Sequence, residues 1–406
     1  MNANQWCFPE DQRIGLLIDP LDTLFFRDGR PFGAGDFARG GMPTPQTLYG
    51  MIQRYVLRSL GKLNAPIHGS RGNDGAWYRS VAVRGPWLAK ESKDNHVQDL
   101  YLPMPADVMK LGKGEAGTLH RLAPLDPKIE MPGWDAPDWV EPSQLLRPLV
   151  HLGEGGKLEP HGGYLTLGEM KDYLCGNTPK LAKRPPLFFH EARTGIAIDA
   201  DKQTTVDGAL YSARHLRLEK DIYFYAEVGL EPAHAAAFGD LKKLFEGAGV
   251  TLPFGGEGRR VNIRAVDSPV KWPEVPPDVA PEVGGFTTVL IAPAMLGPRP
   301  GTNGKGWHPP QFARLCAAAV GKPLAVSGWS LGGRSVEQDG KEAAQVGPNL
   351  PKPARYAVDA GSVYFWQAGK NAEPGRTPGR PQLTHKPCDR AAGWGVALRG
   401  VWKWAG

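Results

Sequence analysis

The sequence has 406 residues, 41% of them hydrophobic, with 12 Trp and 14 Phe, which is enough for more than one core and excludes a fibrous or disordered chain. Its 52 Gly and 39 Pro point to long, stiff, irregular loops between elements. The formal net charge of +6 favours an anionic partner, and four scattered cysteines with no C-x-x-C pair argue against a disulfide framework or a structural zinc site. No basic leader followed by an apolar run opens the sequence, and no apolar run approaches the roughly 18 residues of a membrane span. The expectation is a reduced, cytoplasmic protein with no metal and no cofactor.

In chain order, IGLLID (Ile14 to Asp19) reads as a buried strand. A turn-rich segment follows, and then a helix. Thr44 suits its N-cap, Pro45 its first position, and Leu48, Met51, Ile52, Tyr55 and Val56 recur at helical spacing before Gly61. From about Lys62 to Leu187 the regular elements look short, and this stretch reads as a large insertion packed on the core. TGIAID restores order. ALYSARHLRLEKDIYFYAEVGL then reads as two strands around a turn at Glu219-Lys220-Asp221. A helix is predicted over about Pro232 to Glu246, and a glycine turn at Gly255, Gly256 and Gly258 leads into a strand with Val261, Ile263 and Ala265 on one side.

That order is strand, helix, strand, strand, helix, strand, the split βαβ pattern. After the Pro-rich connector DSPVKWPEVPPDV a second run begins. FTTVLIAPA reads as a strand, PPQFARLCAAAVG as a short helix, PLAVSGWS and RYAVDAGSVYFWQ as strands, THKPCDRAAGWG as a loop, and VALRGVWKW as the last strand. The fold class is therefore α+β: two ferredoxin-like (RRM-like) domains with long Pro/Gly-rich insertions. Residues 1–266 form the first, carrying the insertion over about 62–187, and residues 267–406 the second.

Positive charge gathers beside glycine. RDGRPFGAGDFARGG places Arg27, Arg30 and Arg39 among glycines, and GGEGRR places Arg259 and Arg260 beside Gly255 and Gly256. From Asn371 to Gly406 six basic residues face two acidic ones, with Lys386 and Arg390 just before Gly393-Trp394-Gly395. Glycine lets the main chain approach a phosphate, its neighbouring N–H groups can form an anion nest, and Trp394 is a candidate stacking partner for a splayed base. These twelve residues are the expected RNA-binding set.

PLDTLFFRDGRPF, ARTGIAID with TTVDGALYSARHLRL, GGEGRRVNI, AVDAGSVYFW and GWGVALRG together resemble, in order, the third subunit of the Cmr complex. That complex is the type III-B CRISPR effector, and the subunit belongs to the RAMP superfamily. The resemblance implies a non-catalytic, RNA-binding subunit in antiviral defence. It implies that the chain holds the repeat-derived 5′ tag of the CRISPR RNA, docks the large Cas10-type subunit, and adjoins a neighbouring RAMP backbone subunit.

Two catalytic readings compete. Some RAMP relatives cut RNA with a histidine, and His215 and His385 are the candidates for an endoribonuclease that processes CRISPR RNA. Gly328-Trp329-Ser330-Leu331-Gly332 fits G-x-S-x-G, with Asp359 and His385 downstream in the order of a serine hydrolase. The polar stretch after Ser330 makes a poor buried helix, and the binding reading is favoured over both.

Overall fold

The computed structural model describes residues 13–27, 37–38, 41–59, 61, 81–92, 95–112, 118–130, 146–153, 155–199, 201–202, 204–230, 241–247, 249–275, 284–298, 307–309, 313–327, 329–330, 334–338, 341–346, 350–351, 354–367 and 381–406. Arg30 and Arg39 lie outside them. The described elements are mostly strands, with few helices. In chain order the first are β1 (Arg13–Pro20), α1 (Pro45–Ser59), β2 (Val81–Glu91), β3 (Val97–Pro103), β4 (Val108–Leu111), β5 (Thr118–Arg121), β6 (Tyr164–Leu165) and α2 (Leu167–Leu174). A hairpin of β7 (Phe188–Ile198) and β8 (Thr205–Leu218) precedes β9 (Ile222–Leu230), β10 (Val250–Pro253) and β11 (Arg260–Ala265). The chain closes with β12 (Gly284–Leu290), β13 (Arg314–Ala319), β14 (Val363–Gln367), α3 (Pro387–Ala391) and β15 (Ala397–Lys403).

Two antiparallel sheets organise these elements. The first has the order β6–β3–β2–β9–β1–β11–β10, and the second β13–β14–β12–β15. Both faces of the first sheet are covered. Leu16 and Ile18 of β1, Val83 of β2, and Phe224, Ala226 and Val228 of β9 enter one core with Leu48, Ile52 and Val56 of α1. Leu17, Trp87, Ala89 and Tyr225, on the opposite face, enter a second core. That core also takes Val289, Val363, Phe365, Leu398 and Trp402 from the second sheet, and Met170, Tyr173 and Leu174 from α2. A third cluster, with Phe286, Tyr364 and Trp366, covers the far side of the second sheet. The layers are therefore α1, sheet, shared core, sheet and outer cluster.

Local chemistry explains the elements that match expectation. The Thr44 side chain accepts from Thr47 N at 3.3 Å and Pro45 takes the first helical position. Gly61, at φ +66°, donates its N–H to Arg58 O just after α1. α2 opens with a capping box in which Thr166 and Glu169 satisfy each other's backbone donors.

Elsewhere the structure corrects the sequence. Residues 81–103 are no insertion packed on the core: β2 and β3 are strands of the first sheet, and β2 pairs along nearly its full length with β9. The second strand neighbouring β9 is thus β2. Ala209–Leu218 belongs instead to the β7–β8 hairpin. Of the helix predicted to begin near Pro232, the described part is a 3₁₀ turn, Leu241–Phe245, and residues 231–240 lie outside the described set. The helix predicted in PPQFARLCAAAVG is β13, whose alanines pair with β14 across a bulge between Leu315 and Ala317. Buried pairing there outweighs the helical preference of alanine. The expected loop at 384–395 contains α3 instead, with Pro387 at its start.

Two buried polar clusters join the layers. Glu227 of β9 is fully enclosed, with Arg13 Nε at 3.1 Å and Arg84 Nη1 at 3.3 Å. Tyr225 Oη and Trp272 Nε1 donate to it at 3.1 and 2.9 Å. Asp107 is equally buried: Arg121 Nε donates to it at 3.0 Å and Tyr173 Oη at 2.7 Å. Arg121 also donates to Val401 O of β15 at 3.2 Å. Among the described residues no helix is long and apolar enough to cross a membrane.

Removing the Glu227 carboxylate strands two buried guanidiniums. Glu227→Ala is expected to lower stability by about 3–5 kcal/mol. Glu227→Gln keeps an acceptor for Tyr225 and Trp272 and is expected to lose less. Urea unfolding followed by circular dichroism measures both.

Candidate nucleic-acid interface

Three distant segments meet at one corner beside the ends of β1 and β11. The turn after β1 carries Leu21 to Arg27, the β10–β11 turn carries Phe254 to Arg260, and the β7–β8 hairpin lies alongside. Backbone hydrogen bonds hold them together. Leu21 N donates to Arg260 O at 3.2 Å, Gly256 N to Phe25 O at 2.8 Å, and Leu24 pairs with Leu216 in both directions at 2.8 Å. Beneath them is an aromatic floor. Phe26 meets Phe254 edge-on at 4.9 Å, and Phe25 stacks on His215 at 5.1 Å.

Gly255 is required by this docking. Its φ is +86°, and a Cβ there would lie 2.6 Å from Phe25 O. The close approach that its missing side chain permits is thus to the Phe25 backbone. This corrects part of the expectation for GGEGRR: at Gly255 the permissive backbone serves packing against Phe25.

The structure brings Arg27, Gly255, Gly256, Arg259 and Arg260 together, with Arg27 and Arg260 exposed. Arg259 has partners within the chain. Its Nη1 donates to Asp22 Oδ2 at 2.9 Å, and its Nη2 lies 3.9 Å from Glu257. Arg217 Nη2 reaches Asp22 Oδ1 at 3.1 Å, and its Nε donates to Glu191 at 2.9 Å. Arg193 Nη2 lies 3.6 Å from Asp22 and 2.8 Å from Glu191. A hydrogen bond from the Thr23 backbone, and then the Arg217 and Arg193 guanidiniums, hold the Asp22 carboxyl below the ordinary carboxylate range. Hydrogen bonds from Arg217 and then Arg193 lower Glu191 likewise.

His215 is enclosed beneath this network. Its Nε2 lies 3.2 Å from Glu257, and its Nδ1 shares a hydrogen bond with Thr23 Oγ1 at 3.2 Å. At 1% exposure it offers no ring edge to a substrate. Burial lowers its pKa against the opposing pull of Glu257. His385 is exposed and packs against Gly297. Ser330 lies in the two-residue strand Trp329–Ser330, antiparallel to Leu350–Pro351, and the parallel sheet that supports a nucleophile elbow is not what the two main sheets form.

The C-terminal basic segment behaves differently from expectation. Trp394 is fully buried, in the core that holds α1, so its indole has no face open to a base. Gly393 explains why: at φ +87°, with a Cβ position 2.6 Å from Val83 O, it lets the turn press onto β2. Gly395 N donates to Pro293 O at 2.7 Å, and its carbonyl accepts from Leu383 N at 2.7 Å. Arg390 is half-buried, and its carbonyl accepts from Gln382 Nε2 at 2.8 Å. Lys386, at the start of α3, is exposed. Among Lys386, Arg390, Gly393, Trp394 and Gly395, Lys386 is the exposed one.

Asp22, Glu191, Arg193 and Arg217 were missed as site residues. The available signal was the i, i+2 spacing of Glu191 and Arg193, which puts both on one face of β7.

With this geometry in place, comparison with known proteins defines the class. A model of the family described as CRISPR-associated protein (Cas_Cmr3) matches residues 16–402, so the chain is a CRISPR-associated protein. It belongs to the Cas_Cmr3 family. No curated protein matches it. Among solved structures it is similar to a chain of the type III-B Cmr-beta complex bound to cognate target RNA and AMPPnP, with 17% identity over 86% of each chain and a TM-score of 0.44. It is also similar to a chain of the Csm3–Csm4 subcomplex of the type III-A interference complex, with 10% identity, coverage of 87% of this chain and 94% of that one, and a TM-score of 0.35. A chain of the Csm1–Csm4 cassette in complex with cA4 shows 12% identity over 97% of this chain and 100% of that one, with a TM-score of 0.34.

Two outcomes test this description. Trp394→Ala is expected to cost about 3–5 kcal/mol of stability, as for a large core aromatic. Denaturant titration measures it, and a stacking finger would show no such loss. For His215 the folded pKa lies below the unfolded value of about 6.5, so the unfolded chain binds the proton more readily. The stability that its neutral form contributes is complete above about pH 6.5 and is lost as pH falls toward the folded value. His215→Gln is expected to flatten that fall in thermal midpoint.

Proposed function

We propose that the chain is the third, RNA-binding subunit of a type III-B CRISPR effector complex, and that it acts by binding rather than by catalysis. On this reading it holds the repeat-derived 5′ tag of the CRISPR RNA, docks the large Cas10-type subunit and a neighbouring RAMP backbone subunit, and works in the cytoplasm. The single observation that carries the binding role is the convergence of Arg27, Arg259 and Arg260 with Arg193 and Arg217 at one solvent-facing corner, in a member of a CRISPR-associated family. Exposed guanidiniums over a rigid backbone floor are what phosphate positioning needs.

The same proposal treats the chain as two ferredoxin-like units, 1–266 and 267–406. Strand order supports it. Numbered by order of appearance within each unit, β11–β1–β9–β2 and β15–β12–β14–β13 both run fourth, first, third, second, with every neighbour antiparallel. The endoribonuclease reading loses support from the enclosure of His215, and the hydrolase reading from the antiparallel setting of Ser330.

The test is binding of a labelled tag-containing RNA by fluorescence anisotropy across a salt series. The wild type is expected to bind and leave the RNA uncut. Arg27→Ala with Arg260→Ala is expected to weaken binding and to reduce the slope of log K against log salt by about 1.4, two contacts at roughly 0.7 each for a single strand. An unchanged slope removes this corner from the interface.

A further inference from the structure

We propose that Arg193, Arg217 and Arg259 form a phosphate site whose internal occupant is the Asp22 carboxylate, and that a phosphodiester of bound RNA takes its place. This rests on the RNA-binding reading. Asp22 is the point where all three guanidiniums converge: Arg259 at 2.9 Å and Arg193 at 3.6 Å on Oδ2, and Arg217 at 3.1 Å on Oδ1. The three arginines come from β7, β8 and the β10–β11 turn, so tertiary structure rather than local sequence assembles them. A carboxylate offers two oxygens sharing one negative charge. The non-bridging oxygens of a phosphodiester offer the same count and charge, and guanidinium forks match either.

The other two carboxylates mark Asp22 as the exchangeable one. Glu191 holds Arg193 and Arg217 by itself, at 2.8 and 2.9 Å. Glu257 lies 3.9 Å from Arg259 and 3.2 Å from His215. Glu191 thus holds its two arginines by hydrogen bonds, while Glu257 meets Arg259 only at ion-pair distance. Asp22 alone bridges the whole set; when it swings away Glu191 still holds Arg193 and Arg217, and Arg259 is left to turn its fork toward the incoming anion. Its side chain is 47% exposed, so an incoming phosphate reaches the cradle from solvent without any element unfolding. Ion pairs this open to water are individually weak, and exchanging one anion for another leaves the fold intact.

With Asp22 in place the three arginines of the cradle, Arg193, Arg217 and Arg259, are balanced by the three carboxylates Asp22, Glu191 and Glu257, and Arg27 and Arg260 are exposed beside them. With Asp22 displaced, the cradle adds a further phosphate contact beside them. Asp22 thus makes RNA binding at this corner weaker and more selective than five arginines would otherwise make it. A strand must bring its phosphate to one defined place in order to compete.

The experiment is anisotropy with 5′-labelled single-stranded RNA over a potassium chloride series, using the full chain. Asp22→Asn is expected to tighten binding about threefold to tenfold with nearly the wild-type salt slope, because the same phosphate contacts form once the competing carboxylate is gone. Asp172→Asn makes the same charge change on the exposed side of α2, which packs into the core between the two sheets, and is expected to stay within about twofold of wild type. Equal tightening by both variants, or none by Asp22→Asn, overturns the proposal. Arg217→Lys keeps the charge and loses the fork. It is expected to weaken binding about fivefold, and unchanged binding overturns the proposal even if Asp22→Asn does not fold. If the wild type binds no RNA, the RNA reading falls, and calorimetric titration of Asp22→Asn with inorganic phosphate decides the site separately. Binding heat that is absent from the wild type supports an anion cradle, and no heat in either overturns it.

Discussion

A single carboxylate without solvent contact organises this molecule. Glu227 projects from the central strand β9 toward the core shared by the two sheets, with a guanidinium from β1 and another from β2 against it. A buried ion is tolerable only when partners surround it, so each partner is fixed by the need to meet it. Arg13 sets where β1 begins and also donates to Val270 O at 2.7 Å, while Trp272 brings in the connector toward the second sheet. One unfavourable burial thus orders three strands and the link that follows them. Leucine at this position would pack but would specify none of these directions.

The same layering produces the corner described above. Because both faces of the first sheet are covered, its polar chemistry is forced to the strand ends, where the turn after β1 and the β10–β11 turn meet. An aromatic floor of Phe25, Phe26, Phe254 and His215 supports the charges there. A charged network above a stacked apolar base holds its geometry better than the same residues on a free loop, since the backbone beneath cannot move without exposing the rings.

Much of this was legible in the sequence, and what was hidden was hidden for physical reasons. Thr44-Pro45 and the spacing of Leu48, Ile52 and Val56 carried α1, and alternation in RVNIRA carried β11. β2 was concealed by Gly85-Pro86 in its middle, a pair that ordinarily marks a turn. β13 was concealed by its alanines, and only its pairing with β14 makes it a strand. At the site, glycine beside arginine led to Arg27, Arg259 and Arg260. The carboxylate that organises the arginines lies 237 residues from Arg259, a separation no local pattern reports. Trp394 between two glycines looked like an exposed finger. The glycines instead allow the turn to bury it.

The Asp107–Arg121–Val401 contact also bears on the order in which the chain folds. Arg121, from the middle of the sequence, ends on a carbonyl of β15, and β12 gains its second neighbour only when β15 arrives. A nascent chain that has not yet made that last strand therefore holds a guanidinium without one of its acceptors and a half-covered greasy layer. The two sheets are thereby tied through one buried guanidinium and one shared apolar layer, so loosening either exposes the other.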